Sequence, residues 1–255
     1  MRNWWRAKRP APVERPGVSV VVPLFNEAEN VVPLVAEFEA LAEQVGSLEV
    51  LLVDDGSSDG TWDHVRSAAE SHDWLRGIRT EQNRGQSAAT ILGLAEAGGD
   101  QIVTMDGDLQ NNPADIPRLL ALLSECDVVC GYRARRRDSL SRRVGSRVAN
   151  RVRNWITRDG IRDTGCALKA FRRACVADLP AVNGVHRFMP AYFRLHGRTI
   201  REVAVDHRPR RHGSSKYTNL KRLPRTVFDL FGFVWFRRRS ISHLAPGEVL
   251  DTADG

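Results

Sequence analysis

Three times in the first half of the chain a short aliphatic run stops abruptly in acids, amides and small residues. Val18–Val22 ends at Pro23 and leads to Asn26 and Glu27. Leu48–Val53 ends in Asp54, Asp55, Gly56, Ser57, Ser58, Asp59 and Gly60, and Gln101–Met105 ends in Asp106, Gly107, Asp108 and Gln110. Apolar runs of this length fit buried strands, and polar residues at their carboxyl ends stand where open α/β sheets keep ligands. Between them lie amphipathic stretches, Val31–Val45 and Ser87–Ala97, and a further candidate strand, Leu75–Thr80. Strand alternating with helix predicts a mostly parallel sheet with right-handed crossovers. The pattern continues with a helix from Pro113 to about Ser124, a strand over Asp127–Tyr132 and helical spacing over Leu140–Ile156. A loop leads into a strand across 163–171, then come a helix over Arg187–Leu195 and a strand over Thr199–Val205.

The segment VTMDGDLQNNP, 103–113, carries the clearest chemistry. Two carboxylates and an amide at one strand end make an oxygen-rich site, the donor type that Mg²⁺ and Mn²⁺ prefer. Mg²⁺ is commonly held by one or two carboxylates together with substrate phosphates, so the segment reads as a metal–diphosphate site. The D-x-D spacing alone is common in surface turns, and the neighbouring motifs are needed to decide the matter.

At 255 residues the chain is long enough for one full α/β core, with or without an appendage. A formal charge of +7 and a pI near 9.7 point to an anionic partner: nucleic acid, a phosphorylated small molecule or an anionic membrane surface. Cys126, Cys130, Cys166 and Cys175 show neither CxxC pairing nor zinc spacing, and the start of the chain lacks a signal-peptide apolar region. A cytoplasmic location is therefore expected. No apolar run reaches the roughly 20 residues of a membrane span; Thr226–Phe236, the longest near the end, contains Asp229.

Residues 1–16 mix Trp4 and Trp5 with arginine, lysine and proline and read as an arm. From Arg133 to Arg153 arginines crowd a segment with few acids, which fits a solvated basic face, a phosphate site or a nucleic-acid contact. The lack of interleaved aromatics and of any nucleic-acid module argues against the last. The loop 207–217, HRPRRHGSSKY, joins cations, glycine and hydroxyls in a pattern suited to a mobile phosphate clamp. Near the end, Leu220, Leu223, Val227, Leu230, Phe231, Val234 and Trp235 recur at helical spacing among Lys221, Arg222, Arg225, Arg237, Arg238 and Arg239. A helix with these two faces fits the membrane interface, with packing on its own domain or on a second copy as the alternative.

In order along the chain, PLFNEAEN (23–30), DDGSSDGT (54–61), NRGQSAA (83–89), MDGDLQNNP (105–113) and RRHGSSKY (210–217) together resemble the family 2 inverting glycosyltransferases of GT-A fold. Within them, GDLQNNP and DTGCALKAFRR are similar to the polyprenyl-phosphate sugar synthases, which include dolichyl-phosphate mannose synthase and the undecaprenyl-phosphate transferases. Phe25 replaces the tyrosine common in the first motif, and DGD replaces the frequent DAD. The resemblance implies a Rossmann-like, mostly parallel sheet flanked by helices over residues 17–217. An amphipathic interfacial helix would follow at 218–240, then a flexible tail, 241–255.

It also implies roles. Pro23, Phe25, Glu27, Val53 and Asp55 would hold the base and ribose of a nucleotide-sugar; Met105, Asp106 and Gly107 would meet the donor; Asp108 and Gln110 would hold Mg²⁺ or Mn²⁺. Arg133 matches the arginine for the acceptor phosphate, with Arg143 and Ser146 as further candidates, and Arg210 and Lys216 match a loop closing over the donor. The implied reaction moves a sugar from GDP-mannose or a UDP-sugar to undecaprenyl or dolichyl phosphate, an acceptor already anionic at neutral pH and in no need of a general base. The enzyme is then expected at the inner face of the cell membrane, held peripherally, with a homo-oligomer or a membrane-protein partner open as further support. Two alternatives stand: the same fold with a sugar or protein acceptor, which would need a carboxylate base that 160–200 does not offer, and a basic nucleic-acid-binding protein, which would leave DGDLQ and DDGSSDGT unexplained.

Overall fold

The computed structural model describes residues 16–134, 151, 153–209 and 219–240, with the side chains of the final stretch described from residue 227 onward. The N-terminal arm to residue 15, the tail from 241, and Arg143, Ser146, Arg210 and Lys216 lie outside the described residues.

Strands β1 (Val18–Leu24), β2 (Leu48–Asp54), β3 (Leu75–Arg79), β4 (Gln101–Thr104), β5 (Val128–Arg133), β6 (Lys169–Arg172) and β7 (Ile200–Val205) form one sheet in the order β3-β2-β1-β4-β6-β5-β7. The predicted mostly parallel sheet is what forms. β6 runs antiparallel to both β4 and β5, while the other neighbours pair in parallel. The β-branched and aliphatic runs become strands because both faces of the sheet are covered: β1 and β2 are buried almost throughout.

Helices α1 (Ala28–Val45), α2 (Thr61–Ser71) and α4 (Ile116–Leu122) cover one face through Val31, Leu34, Phe38, Val65, Ile116 and Leu119. The other face is covered by α3 (Gln86–Glu96), α5 (Val185–Leu195) and α6 (Asn219–Arg239), through Ala89, Leu94, Val185, Phe188, Phe193 and Phe233. A three-layer sandwich results, with a core on each side of the sheet.

The order decides where the chemistry gathers. All parallel strands direct their carboxyl ends to one edge, so Pro23, Asp54, Asp55, the 105–110 loop and Arg133 meet there. Because β6 runs the other way, it is its first residue, Lys169, that reaches this edge; Lys169 pairs in register with Thr104 on one side and Cys130 on the other. At the opposite edge a buried network ties the sheet together: Glu49 accepts from Ser19 Oγ (2.6 Å), Gly98 N (2.7 Å) and Arg76 Nη1 (2.7 Å). With its hydrogen bonds satisfied, that carboxylate supports the fold without taking part in the site.

Two of the sequence motifs are sewn to each other. Asn26 N donates to Ser57 Oγ (2.8 Å), Ser58 N to Asn26 Oδ1 (2.9 Å), and Glu27 N to Thr61 Oγ1 (2.8 Å). Asn26 holds φ +50°, a left-handed conformation that asparagine tolerates better than most residues, and this turns its side chain back onto the second motif. PLFNEAEN and DDGSSDGT therefore form one surface.

Candidate active site

A cleft of about 400 Å³ opens at the carboxyl edge of the sheet, lined among others by Pro23, Gln86, Met105, Asp106, Asp108, Gln110, Arg133, Lys169, His186 and His207. The polypeptide around Asp108 is shaped for it. Gly107 fits because its position is against Leu24: a Cβ there would stand 2.2 Å from Leu24 Cδ2. Leu109, fully buried, takes φ +60°, an unfavourable conformation for a bulky residue and one that clusters at functional sites. It lets Asp108 and Gln110, two residues apart, both line the cleft.

Gln110 N donates to Asp108 Oδ1 (3.2 Å), and Gln110 Nε2 donates to Arg208 O (3.4 Å). With the amide nitrogen committed, the Oε1 is the end suited to a cation. Asp106 accepts from Gln86 Nε2 (2.7 Å), which links it to the start of α3. No trio of His, Cys, Asp and Glu forms a complete metal cage among the described residues. Two carboxylates and an amide oxygen in one cleft do fit a divalent ion whose remaining ligands come from phosphates and water.

Asp55, buried, holds the NRGQ segment: its carboxylate accepts from Arg84 N (3.0 Å), Gly85 N (2.7 Å) and Thr80 Oγ1 (3.3 Å). Gly85 at φ +91° starts α3 at that point, in a region open to glycine and strained for other residues. Ser87 Oγ then accepts from Gly184 N (2.9 Å) and stands 2.7 Å from His186 Nδ1, joining the start of α3 to the start of α5. Val53 is fully buried, with its side chain in the core, so only its backbone faces the edge. Phe25 and Glu27 are partly exposed on the surface sewn to the second motif, where Glu27 accepts from Asn30 Nδ2 (2.5 Å).

Across the cleft, Arg133 closes β5 and grips Asp163. Nε donates to Oδ2 (2.7 Å), Nη2 to Oδ1 (2.8 Å), and the backbone N to Oδ2 (3.2 Å). Gly165 makes room for the guanidinium: a Cβ there would be 2.8 Å from Nη2. Arg153 lies deeper, paired with the buried Asp159 at 3.0 Å; burial lowers its pKa, against the pull of Asp159. Burial likewise raises the pKa of the Cys166 thiol and pushes that of Cys130 up to about 12, in each case against the Lys169 charge, so neither is a nucleophile at neutral pH.

Of the residues expected from sequence, the fold therefore brings Pro23, Met105, Asp106, Asp108, Gln110 and Arg133 into one cleft. Gln86, Thr104, Asn111, Asp163, Lys169 and His186 join or support it without having been singled out. NRGQ and DTGCALK contain Gln86, Asp163 and Lys169, but nothing in these motifs marks the individual residues. His186 had no signal either, being placed only by the packing of α5 against α3.

A sheet of this order, with paired acids after its fourth strand and an arginine ending its fifth in one cleft, is of GT-A type. The chain belongs to Glycosyl transferase family 2, which it matches over residues 19–179. It is 38% identical over 234 residues to dodecaprenyl-phosphate galacturonate synthase of Rhizobium johnstonii, covering 89% of this chain and 69% of that protein. It is 37% identical over 223 residues to undecaprenyl-phosphate 4-deoxy-4-formamido-L-arabinose transferase of Salmonella paratyphi A, covering 86% and 67%. Among solved structures, glucosyl-3-phosphoglycerate synthase from Mycobacterium tuberculosis with Mn²⁺, UDP and glucosyl-3-phosphoglycerate shares the fold, with TM-score 0.65, 20% identity and coverage of 87% and 80%. A mannosyltransferase from Pyrobaculum calidifontis in complex with GDP-Man and Mn²⁺ does so with TM-score 0.59, 22% identity and coverage of 82% and 63%.

Proposed function

We propose that this glycosyltransferase moves a sugar from a nucleotide-sugar to a polyprenyl phosphate, with inversion at the anomeric carbon. The observation that carries the reading is one cleft with Asp106, Asp108 and Gln110 on one side and Arg133 on the other. The first group suits the donor diphosphate with Mg²⁺ or Mn²⁺; the second suits a phosphate monoester, which a guanidinium binds with charge-assisted hydrogen bonds. The relatives named for undecaprenyl and dodecaprenyl phosphate support the acceptor class.

Asp108 and Gln110 would hold the metal, which when bound supplies charge stabilisation to the departing diphosphate. Asp106, fixed by Gln86, faces the donor, and the surface made by Pro23, Phe25 and Glu27 takes the nucleoside, with Val53 offering its backbone and the buried Asp55 bracing the adjoining 84–85 turn. An oxygen of the lipid phosphate attacks the anomeric carbon as its bond to the nucleoside diphosphate breaks; the nucleophile is already ionised, so the chain need only orient it and offset its repulsion from the donor. Arg143 and Ser146 would add to the acceptor side, and Arg210 and Lys216 would close over the donor.

Membrane contact fits the outer face of α6. Phe228, Phe231 and Trp235 are 78%, 70% and 66% exposed, while Phe233 on the inner side is 1% exposed and stacks with Phe188 at 5.9 Å. Arg237, Arg238 and Arg239 follow at its end, a combination of exposed aromatics and cations that suits an anionic membrane surface, here the inner face of the cell membrane. No described helix is long and apolar enough to cross a membrane.

The test is transfer of labelled sugar from a panel of UDP- and GDP-sugars to undecaprenyl phosphate, with and without EDTA, by wild type and Asp108→Asn. Label is expected in the organic phase for one donor, lost in EDTA, and reduced about a hundredfold or more by Asp108→Asn. Full activity of that variant, or activity in EDTA, contradicts the metal assignment.

A further inference from the structure

The cations that line the cleft are not equivalent. Arg133 is matched by Asp163 (2.7 Å), Arg153 by Asp159 (3.0 Å) and Arg187 by Asp229 (3.3 Å). Lys169, the remaining lysine or arginine on that lining, has no carboxylate partner among the described residues; its Nζ donates to the backbone oxygen of Cys166. It is only 2% exposed. An ammonium taken out of water needs compensation that one neutral carbonyl gives only in part, and it still has donor capacity beyond that bond.

Its place is equally specific. Lys169 is the first residue of the antiparallel strand inserted between β4 and β5, so it stands between the strand that ends in the Asp106–Asp108 loop and the strand that ends in Arg133. It grips the same short loop that Arg133 touches: Lys169 Nζ is bonded to Cys166 O, and the Arg133 guanidinium lies against Gly165. Two cations thus converge on residues 165–166, one with its charge largely matched by Asp163 and the other unmatched. Among the described residues, the uncompensated positive charge on this side of the cleft is that of Lys169.

We infer that Lys169 is an acceptor-binding residue: its ammonium, at the floor of the cleft, receives an oxygen of the attacking phosphate monoester beside Arg133. This rests on the proposed reaction and adds to it the residue that carries the unmatched charge. A phosphate at that point completes the solvation of a buried cation, and the cation in turn offsets the repulsion between acceptor phosphate and donor diphosphate. Arg133, oriented by Asp163, contributes directed hydrogen bonds, and Lys169 contributes charge.

The test uses the full chain, with Lys169→Met and Lys169→Arg compared with wild type. Farnesyl phosphate is titrated by calorimetry as a phosphate monoester probe, farnesol as its uncharged control, and UDP and GDP with Mg²⁺ as donor-side probes. Wild type is expected to bind farnesyl phosphate and not farnesol. Lys169→Met should bind it about tenfold or more weakly while nucleotide affinity stays within about twofold, and Lys169→Arg should recover part of the loss. The acceptor KM in the transfer assay should follow the same order. Unchanged farnesyl phosphate binding in Lys169→Met, or a loss confined to nucleotide binding, overturns the inference. So does failure of wild type to bind farnesyl phosphate. If Lys169→Met fails to fold, the decision passes to Lys169→Arg and Lys169→Gln: equal phosphate affinity in these two overturns it. Wild-type transfer to undecaprenyl phosphate is scored separately, so the proposed reaction can stand while the role of Lys169 falls.

Discussion

Arg133 and Asp163 meet in a two-pronged pair, Nε to Oδ2 at 2.7 Å and Nη2 to Oδ1 at 2.8 Å, across a gap of 30 residues in sequence. Both are largely buried, at 20% and 7% side-chain exposure, so the pair fixes the plane of the guanidinium at the cleft wall. An arginine held flat by one carboxylate is ready for a phosphate without first losing rotamer freedom.

The first prediction concerns this pair. Asp163→Ala should destabilise the protein by about 3 kcal/mol, because it leaves a buried guanidinium uncompensated. Arg133→Ala should cost a similar amount, and the double variant clearly less than the sum. Denaturant unfolding of the four proteins measures the coupling, and strict additivity would contradict the pairing. Arg133→Ala should also raise the acceptor KM far more than the donor KM.

Gly107→Ala places a methyl group against Leu24. The cost should be about 1–3 kcal/mol in stability, as for other overpacked sites, together with weaker donor binding because the Asp106–Asp108 loop is pushed outward. Adding Leu24→Val should recover part of both. Thermal unfolding and nucleotide titration check it; a neutral single variant would show that the loop moves freely.

Asp127 offers a pH-dependent test. Its carboxylate accepts from Thr199 Oγ1 (2.7 Å) and Thr199 N (2.8 Å), which hold its pKa below the usual carboxylate value of 3.8. A carboxyl with a lowered folded pKa contributes stability above its unfolded pKa and loses it as pH falls through the folded value. Asp127→Ala should therefore lower Tm at pH 7 and cost progressively less as the pH drops below about 3.8, toward a small residual. A gap that stays constant across that range would contradict the assignment.

Much of the fold was legible because the runs at β1, β2 and β4 are buried on both faces and each stops in polar residues that cannot continue a buried strand. The direction of β6 was not legible. KAFR carries no mark of strand polarity, and its antiparallel insertion between β4 and β5 shows only in the pairing. Lys169 was hidden for that reason: a lysine next to an aliphatic run reads as solvated until the strand is known to start at the ligand edge. Asp163 looked like one loop acid among several, and only the register of β5 brings Arg133 onto it. The helix near the end was expected either at the membrane interface or packed on its own domain. Phe233 packs inward on Phe188, which places the helix on its own domain, while Phe228, Phe231 and Trp235 stay exposed on its other side.

That division gives a membrane prediction that avoids unfolding the protein. Deleting α6 would remove the buried Phe233 as well as the outer face, so the variant of choice is Phe228→Ser, Phe231→Ser and Trp235→Ser together. It should keep wild-type Tm within a few degrees and bind phosphatidylglycerol liposomes about tenfold more weakly in co-sedimentation, with added salt weakening wild type as well. Equal binding by the two proteins would show that the helix is not the anchor.

The most direct test is the bond that the enzyme makes. Wild type is given its preferred nucleotide-sugar with undecaprenyl phosphate, undecaprenol and a free sugar as alternative acceptors, and the product is analysed by ³¹P and ¹H NMR. The expected product has the anomeric carbon joined to the lipid phosphate, with configuration opposite to the donor's, and forms from the phosphate alone. Transfer to undecaprenol or to the free sugar, or a product that retains the donor's configuration, would contradict the proposed reaction.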